Sequence, residues 1–396
     1  MNPLHRSRKL NTIERSHLLN WIELSRGALK HNVASLARLA GQRTLAVSVK
    51  ANAYGHGLPE IVSMLTAMPQ VTYVTVHSLA EATACRQSGW SRRIMVMGPI
   101  AREMLAAVVE HNLEPVVCDP ETLVALGKLA SRHNVRIKTH LKLETGTHRQ
   151  GVSEKELPAF ARIYRRYRGL RRPYGASTHF ANIEDTTNHE YARFQLANFQ
   201  RLTRKMRRLG IAPTVRHTAC SAALILFDAT RFQMVRPGIS AYGYWPSKET
   251  YLSYRLQGGQ DDLFRPVLTW KSRVTQIKQL PSDAFVGYGC TYRTTSPTRL
   301  AVLPVGYSDG YDRSLSNRAH VLIKGRRAPV RGRVCMNLVM VDITDIKGVR
   351  LGEEAVLIGS GGSETVAADQ LADWAQTISY EILSRISPAI PRVCKA

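Results

Sequence analysis

The sequence predicts an α/β protein: a (β/α)8 TIM-type barrel followed by a C-terminal domain that is mainly β. Eight short runs of apolar and β-branched residues alternate with segments of helical periodicity between residues 45 and 235. That many strand–helix units within about 190 residues is typical of a closed parallel barrel. Beyond residue 250, apolar stretches are separated by Gly, Ser, Asp and Pro, which predicts a second, β-rich domain.

The eight runs are the expected barrel strands, and the segments between them are the expected helices. Apolar residues recur at helical spacing over 100–111, 119–133 and 188–209, for example. An open doubly wound sheet has the same alternation of strands and helices and is the competing architecture. The expected strands are 45–50, 71–76, 94–97, 115–118, 137–143, 173–178, 214–217 and 232–235.

The second domain is expected to contain a single helix, over 364–375. A polar, Gly-containing segment at 244–262 separates the alternating strand and helix pattern from the β-rich pattern, and it marks the expected domain boundary. We therefore expect a basic N-terminal extension over 1–20, the barrel domain over 21–248 and the β-rich domain over 249–396.

Composition narrows the class of protein. Lys and Arg number 55 against 30 Asp and Glu, and the resulting net charge of +25 favours anionic partners. No apolar run is long enough to span a membrane, and the basic start lacks the apolar core of a secretory signal. The six cysteines are scattered without a CxxC pair, which argues against a disulfide framework and a zinc site. We therefore expect a cytoplasmic protein without metal and without a membrane partner.

The candidate chemistry lies at the C-terminal ends of the expected strands, where (β/α)8 barrels have their active sites. Lys50 ends the first strand, and Lys142 ends the fifth strand ahead of Arg149. The sixth strand leads to His179, and the seventh ends at His217. The small or polar candidates after the last two strands are Ser221, Arg236, Gly238 and Ile239.

A lysine beside a phosphate site predicts covalent binding of pyridoxal phosphate. The loops after strands seven and eight commonly bind phosphate in such barrels, and here they supply the Ser221 hydroxyl and the N–H groups of Gly238 and Ile239. A nucleophilic lysine needs a lowered pKa, which neighbouring cations and partial burial would give Lys50. Lys50 alone would be interpreted as a solvated loop lysine; its position in the barrel favours the catalytic role.

Six motifs resemble those of the bacterial alanine racemases, which are fold-type III pyridoxal phosphate enzymes. The resemblance extends from about Trp21 to Arg392 and so covers nearly the whole chain. The first motif is shared with other fold-type III proteins, whereas the six together are specific to the racemases. The motifs are AVSVKANAYGHG, MVRPGISAYG, VGYGCTY, LPVGYSDGYDR, GRVCMN and ISYEILSRISPAIPR.

This resemblance implies roles for the matching residues. Lys50 matches the lysine that holds the cofactor, Arg236 the arginine facing its pyridine nitrogen, and Tyr288 the second catalytic base. Arg149 matches the arginine near the cofactor's phenolic oxygen and the substrate carboxylate. Lys142 matches a lysine that can be carbamylated, and as a carbamate it would orient Arg149. The phosphate-binding positions are Tyr54, Ser221, Gly238, Ile239 and Tyr380.

Racemisation explains these residue types. A proton must leave one face of Cα and arrive on the other, so the site needs an acid and a base on opposite faces. Lys50 would serve one face and Tyr288 the other, with His179 and Arg313 lowering the pKa of the tyrosine. An arginine at the pyridine nitrogen would leave that nitrogen unprotonated and weaken the electron sink. The resemblance adds His179 and His217 as active-site histidines and Tyr307 and Met336 as residues lining the substrate site.

The resemblance also implies a homodimer with shared active sites, each borrowing Tyr288 and Met336 from the partner subunit. The implied activity is the interconversion of L-alanine and D-alanine, which supplies D-alanine for cell-wall peptidoglycan. Three sites depart from the commoner family pattern: Cys220 replaces asparagine, Asn337 replaces aspartate, and Thr147-His148 also differ. The departures at Cys220 and Asn337 leave open a broader amino-acid racemase acting on serine, lysine or arginine.

Other classes fit less well. Fold-type III decarboxylases typically place a cysteine opposite the lysine, which VGYG disfavours, and single-barrel carriers of the cofactor lack a β domain. The basic stretches 162–173 and 201–210 resemble nucleic-acid-binding surfaces, but without a nucleic-acid module they predict solvated helix faces and no specific nucleic-acid partner. His77, His140 and His148 are predicted to be hydrogen-bonded structural histidines, because no spacing supports a metal site.

Overall fold

The computed structural model describes residues 17–395. The chain divides into two compact units. The barrel unit comprises Leu29–Ala51 and Ile61–Arg265, and the β-rich unit takes in the described residues up to Ala28, Asn52–Glu60 and the chain from Pro266 onward. The predicted extension over 1–20 lies largely outside the described residues.

This division differs from the predicted boundaries at three places, one of which is Asn52–Glu60, predicted for the barrel but part of the β-rich unit. The segment after residue 248 stays with the barrel unit as far as Arg265, because Asn32 anchors it there. The Asn32 side chain donates to the Arg265 carbonyl (2.8 Å) and accepts from the Arg265 N–H (2.7 Å). Conversely, β1 (Asn20–Ser25), which the sequence assigned to the barrel domain, pairs within the sheet of the β-rich unit.

Eight parallel strands form the barrel: β2 (Thr44–Ser48), β3 (Val71–Val76), β4 (Arg93–Val96), β5 (Leu113–Val117), β6 (His140–Lys142), β7 (Gly175–Ser177), β8 (Val215–His217) and β9 (Met234–Val235). They pair in the order β8-β7-β6-β5-β4-β3-β2-β9. Hydrogen bonds from the Gln233 N–H to the Arg216 carbonyl (3.1 Å) and from the Arg236 N–H to the Ala219 carbonyl (2.8 Å) join β9 to β8. The predicted barrel is therefore confirmed, and the open doubly wound sheet is excluded.

Helices alternate with these strands as predicted. The segment 119–133 contains a helix over Pro120–Arg132, and 188–209 contains one over Glu190–Arg208. The segment 100–111 is shorter than predicted, with a 3-10 turn followed by a helix over Ala106–Glu110. The helices up to residue 265 are α1 (Arg26–Ala40), α2 (Lys50–Tyr54), α3 (Leu58–Thr66), α4 (Leu79–Gln87), α5 (Ala106–Glu110), α6 (Pro120–Arg132), α7 (Leu157–Arg166), α8 (Glu190–Arg208), α9 (Ser221–Leu226) and α10 (Lys248–Leu256).

The β-rich unit contains two sheets. Its strands after residue 265 are β10 (Leu268–Arg273), β11 (Gln276–Leu280), β12 (Thr298–Leu303), β13 (His320–Ile323), β14 (Arg326–Pro329), β15 (Val339–Asp342), β16 (Glu354–Gly361), β17 (Glu364–Val366) and β18 (Arg392–Lys395). The larger sheet has the order β14-β13-β16-β10-β1-β18, with β17 paired to β16, and the smaller one is β11-β12-β15. The mainly β second domain is therefore confirmed.

The single helix predicted over 364–375 is wrong in part. Residues Glu364–Val366 form β17, an antiparallel partner of β16, and the helix α11 covers only Ala368–Ala375. A second helix, α12 (Ser379–Ser384), was not predicted because six residues are too few to show helical periodicity. Among the described helices, none is long and apolar enough to cross a membrane.

Candidate active site

Lys50 follows the C-terminal end of β2, where the strand is fixed on both sides. The Ser48 N–H donates to the Pro237 carbonyl (2.9 Å), and the Tyr242 hydroxyl donates to the Ser48 carbonyl (2.7 Å). These two bonds join the end of β2 to the segment that carries Arg236, Gly238 and Ile239. The fold therefore brings the predicted lysine to the predicted phosphate loop.

The turn that begins at Lys50 is left-handed. Ala51, Asn52, Ala53 and Tyr54 have φ angles of 53°, 53°, 52° and 54°. This conformation costs an L-residue other than glycine roughly 1–2 kcal/mol, so surrounding contacts must hold the turn. The Ala51 N–H donates to Glu81 Oε1 (2.6 Å), and the Leu58 N–H donates to Asn52 Oδ1 (2.8 Å).

Glu81 is a site residue that was not predicted from the sequence. Besides Ala51, its carboxylate accepts the backbone N–H groups of His77 (2.7 Å) and Ser78 (3.2 Å). Ser78 Oγ accepts the Glu81 N–H in return (3.2 Å), which completes the capping box of α4. The sequence carried the signal, since Ser78 and Glu81 form an S-x-x-E pattern at the start of a helix.

Ser221 joins the two loops of the predicted phosphate site. It is the first residue of α9, and its Oγ accepts hydrogen bonds from the N–H groups of Gly238 (2.9 Å) and Ser240 (3.4 Å). Ile239 opens the 3-10 turn that follows. Two short helical N-termini and a buried hydroxyl therefore converge, an arrangement that suits a phosphate group.

Arg236 is buried between two barrel strands. One terminal nitrogen donates to His217 Nδ1 (2.5 Å) and to the His217 carbonyl (2.6 Å), and the other donates to the Thr178 carbonyl (2.9 Å). Burial lowers the pKa of Arg236 to about 10. The arginine is therefore held rigidly by groups that do not neutralise its charge.

Five basic side chains meet at this end of the barrel. Burial, which is the largest cause, and the charges of Arg236 and Arg149 together lower the pKa of Lys142 to about 7. Burial and the charge of Arg149 also lower the pKa of Lys50. The pKa of His179 falls well below its ordinary value, because burial and the charges of Lys142, Arg236, Arg149 and Lys50 all disfavour its protonation.

Carboxylates compensate this cluster only in part: Glu81 and Glu184 raise the pKa of Lys50 and Glu144 raises that of Lys142, but burial and the neighbouring cations outweigh them. Within the described chain, no Asp or Glu forms an ion pair with Lys142, Arg149 or Arg236. An anionic ligand would offset the repulsion among these cations. A phosphate, a phenolic oxygen and a substrate carboxylate are the anionic groups that pyridoxal phosphate and an amino acid would bring. The residues present therefore fit that cofactor.

The remaining phosphate candidates, Tyr54 and Tyr380, lie together in the β-rich unit. Their ring centroids are 6.0 Å apart and tilted by 49°. Gly55, with φ of 80°, makes this possible, because a Cβ there would lie 1.8 Å from the Leu383 carbonyl oxygen. Gly55 is thereby packed directly against α12 within the β-rich unit.

The predicted substrate-lining residues also share one part of the β-rich unit. The Tyr307 N–H donates to the Cys335 carbonyl (3.0 Å), and the Ser308 N–H donates to the Met336 carbonyl (3.0 Å). Tyr307 and Arg313 line a cleft of about 380 Å³. The loop of Tyr288 packs on Arg333, because a Cβ at Gly289 would lie 2.9 Å from the guanidinium carbon.

The departures from the family pattern have structural roles. Burial raises the pKa of Cys220 to about 12, so its thiol is not a nucleophile. Asn337 Nδ2 donates to Ser308 Oγ (2.7 Å), beside Tyr307. Thr147 Oγ1 donates to the His179 carbonyl (2.5 Å) and so anchors that histidine.

Comparison with known proteins identifies the family. The alanine racemase N-terminal domain model matches residues 24–246, and the C-terminal domain model matches residues 267–394. The chain belongs to the alanine racemase family. It is 36% identical to the alanine racemase of Leptospira interrogans over 377 residues, which cover 94% of this chain and 95% of that protein. The alanine racemase of Halothermothrix orenii is 37% identical over 377 residues, covering 95% and 96% of the two chains.

Solved alanine racemases share the whole fold. The Streptomyces coelicolor enzyme superposes with a TM-score of 0.88 at 32% identity, covering 96% of this chain and 99% of that one. The enzyme from the D-cycloserine-producing Streptomyces lavendulae gives a TM-score of 0.87 at 29% identity, covering 95% and 97%. The chain is therefore a racemase, as its motifs predicted.

Proposed function

We propose that this racemase interconverts L-alanine and D-alanine with pyridoxal phosphate, using Lys50 and Tyr288 as its two bases, and supplies D-alanine for peptidoglycan. The observation that carries the proposal is the cluster of basic side chains formed by Lys50, Lys142, Arg149, His179 and Arg236. These side chains perturb one another's pKa at the C-terminal end of the barrel, where Ser221 Oγ accepts the N–H groups of the proposed phosphate loop. When bound there, the cofactor would withdraw electrons from the substrate Cα and so acidify its proton.

Each group of the cofactor has a matching residue. Lys50 Nζ would hold the cofactor covalently until substrate replaces it, and its lowered pKa favours the neutral, nucleophilic amine. Ser221, Gly238 and Ile239 would bind the phosphate, with Tyr54 and Tyr380 as further phosphate contacts. Arg236 would donate to the pyridine nitrogen, and because an arginine does not give up its proton, that nitrogen would stay unprotonated.

Lys50 and Tyr288 would move the proton. Once free, Lys50 Nζ would take the Cα proton from one face, and the Tyr288 hydroxyl would deliver a proton to the other; the roles exchange in the reverse direction. His179 and Arg313 would stabilise the tyrosinate. Arg149 would orient the substrate carboxylate, and a carbamate on Lys142 would orient Arg149.

We infer that Tyr288 acts in the site of a second copy of the chain. Tyr288 is 73% exposed and Met336 is 56% exposed, although both belong to the group of predicted site residues in the β-rich unit. Phe285 and Leu338 are also exposed nearby in the sequence. Exposed apolar side chains of this kind are typical of an interface, which supports a head-to-tail homodimer with shared sites.

The experiment that tests the proposal combines labelling with one variant. Borohydride reduction of the cofactor-loaded enzyme should attach a pyridoxyl group to Lys50, identified by peptide mapping. Tyr288→Phe should keep the cofactor's absorbance but lose most of the racemisation. An unlabelled Lys50, or a Tyr288→Phe enzyme with full activity in both directions, would refute the proposed roles.

The substrate range is tested separately. Asn337, through Ser308, fixes the loop that carries Tyr307, so this departure from the family lies beside the proposed substrate site. A panel of L-alanine, L-serine, L-lysine and L-arginine followed by chiral chromatography should give D-alanine as the main product. A larger D-serine, D-lysine or D-arginine yield would favour a broader racemase.

A further inference from the structure

A continuous chain of buried polar groups crosses the barrel interior and ends at Arg236. Glu114 Oε2 lies 3.0 Å from His140 Nε2, and His140 Nδ1 lies 2.8 Å from His217 Nε2. His217 Nδ1 in turn lies 2.5 Å from a terminal nitrogen of Arg236. Both histidines are fully buried, and Glu114 is only 5% exposed. The function proposed above uses only Arg236 from this series of hydrogen bonds, and the family resemblance implied a site role for His217 but none for His140 or Glu114.

The Glu114 end is a carboxylate. Arg93 Nε donates to Glu114 Oε1 (2.6 Å), and the Tyr73 hydroxyl donates to Oε2. Burial raises the pKa of Glu114, but the hydrogen bonds from His140, Arg93 and Tyr73 outweigh it and hold the pKa below its ordinary value. Glu114 is therefore ionised and can only accept hydrogen bonds.

Arg236 at one end and Glu114 at the other require the same donor-to-acceptor direction for every hydrogen bond between them. The Arg236 guanidinium can only donate, so His217 Nδ1 accepts and the proton of this neutral imidazole lies on Nε2. His217 Nε2–H then donates to His140 Nδ1, and His140 Nε2–H donates to Glu114. A second proton on either ring would place two donors face to face, and burial accordingly lowers the pKa of both histidines.

The fold makes room for this chain at one glycine. A Cβ on Gly175 of β7 would lie 2.0 Å from His140 Nδ1, the atom that accepts from His217. Any other residue at 175 would therefore push His140 out of line with His217. The register places His140 opposite Gly175 and Val116, so the ring points into the barrel from the middle of the sheet.

We propose that Glu114 is a positioning residue for Arg236: through His140 and His217 it fixes Arg236 as a hydrogen-bond donor. No described carboxylate pairs with Arg236 directly, and Glu114 is the buried anion to which it is linked. Which ring nitrogen of each histidine carries the proton depends only on the hydrogen bonds from Glu114 to Arg236. The consequence at the pyridine nitrogen rests on the proposed function, because it requires the cofactor to lie against Arg236.

The substitution Glu114→Gln would reverse the direction of the hydrogen bonds between Glu114, His140 and His217. Arg93 Nε can only donate, so the oxygen of the new side-chain amide would face Arg93 and its NH2 group would face His140. His140 Nε2 would then have to accept, which moves its proton to Nδ1, and His217 would shift in the same way. His217 Nδ1–H would then face the Arg236 N–H at a separation of 2.5 Å, and the two donors would separate.

The first test is neutron diffraction from cofactor-free wild-type crystals exchanged into D2O. We expect deuterium on Nε2 and none on Nδ1 in both His140 and His217. Deuterium on Nδ1 of either ring would overturn the proposal. This measurement needs no variant and no cofactor, so it stands even if Lys50 fails to take the borohydride label and the proposed function fails.

The second test compares Glu114→Gln with Tyr164→Phe. The control removes a buried hydrogen bond beside β6, between the Tyr164 hydroxyl and Thr139 Oγ1 (2.8 Å), without touching the residues from Glu114 to Arg236. We expect Glu114→Gln to weaken pyridoxal phosphate binding about tenfold or more, since it leaves a buried charged donor unpaired, and to shift the bound cofactor's absorbance. Equal cofactor affinity and absorbance in the two variants would overturn the link to Arg236.

Discussion

Glu81→Ala is expected to disturb Lys50 although the two residues are distant in sequence. The Glu81 carboxylate accepts three backbone N–H groups, from His77, Ser78 and Ala51. The first two bonds cap α4, and the third holds the left-handed turn that begins at Lys50. Removing the carboxylate therefore weakens a helix cap and releases a strained turn at the same time.

The magnitude follows from these contacts. Losing the cap costs about 1 kcal/mol, and losing a partly exposed hydrogen bond from Ala51 to a carboxylate costs about 1–2 kcal/mol more. A total of about 2–3 kcal/mol should lower Tm by roughly 2–4 °C for a chain of 396 residues. Glu81 also raises the pKa of Lys50, so its loss should lower that pKa further and move the pH profile of cofactor attachment to lower pH.

The matched control is Ser78→Ala, which removes the serine half of the same capping box but leaves the Glu81–Ala51 bond intact. We expect Ser78→Ala to lower Tm by only about a third as much and to leave the racemisation rate unchanged. Glu81→Ala should in addition reduce kcat about tenfold, because misplacing a reacting amine by a fraction of an ångström is costly. Identical Tm and kcat for the two variants, measured by thermal melts and racemisation assays, would refute the reasoning.

Three further predictions concern other parts of the protein. Ser221→Ala should raise the Kd for pyridoxal phosphate about tenfold in an absorbance titration, because Ser221 Oγ is the acceptor that joins the two phosphate loops. Ser272→Ala, which removes a serine hydrogen bond to the Leu19 carbonyl (2.9 Å) in the β-rich unit, should leave that Kd unchanged. With a pKa of about 7, Lys142 is largely neutral at pH 8, so the enzyme should show a carbamate signal by NMR with ¹³C-bicarbonate. The signal should fade below pH 7 and be absent in Lys142→Arg. A wild-type enzyme without this signal would contradict the carbamate. Duplex DNA should bind the basic stretches 162–173 and 201–210 only at low salt, and tight binding at physiological salt would contradict their assignment as solvated helix faces.

The barrel could be predicted because its signal is local. Each strand is a short apolar run, and each crossover is a segment of helical period, so the alternation is visible without knowing any long-range contact. The larger sheet of the β-rich unit was harder to predict from the sequence, because β1 pairs with β10 and β18, which lie more than 240 residues away in the chain. Segments of three to six residues, such as β17 and α12, are too short for periodicity to assign.

The candidate site divides in the same way. Lys50 and Arg236 could be located because they stand at strand ends inside recognisable motifs. His140 was predicted to be a hydrogen-bonded structural histidine, and the structure gives it two hydrogen bonds, to Glu114 and His217. The spacing of Glu114, His140 and His217 along the sequence does not indicate a contact between them. They meet only because β5, β6 and β8 place their side chains in the same barrel interior.

Subunit complementation tests the two-base, shared-site account most directly. Lys50→Ala and Tyr288→Phe chains would each be inactive alone. In a mixed dimer, one site would combine the intact Lys50 of one copy with the intact Tyr288 of the other. Random mixing should then restore about a quarter of the wild-type racemisation, since half of the dimers are mixed and each holds one complete site. A mixture no more active than the separate variants would contradict the account.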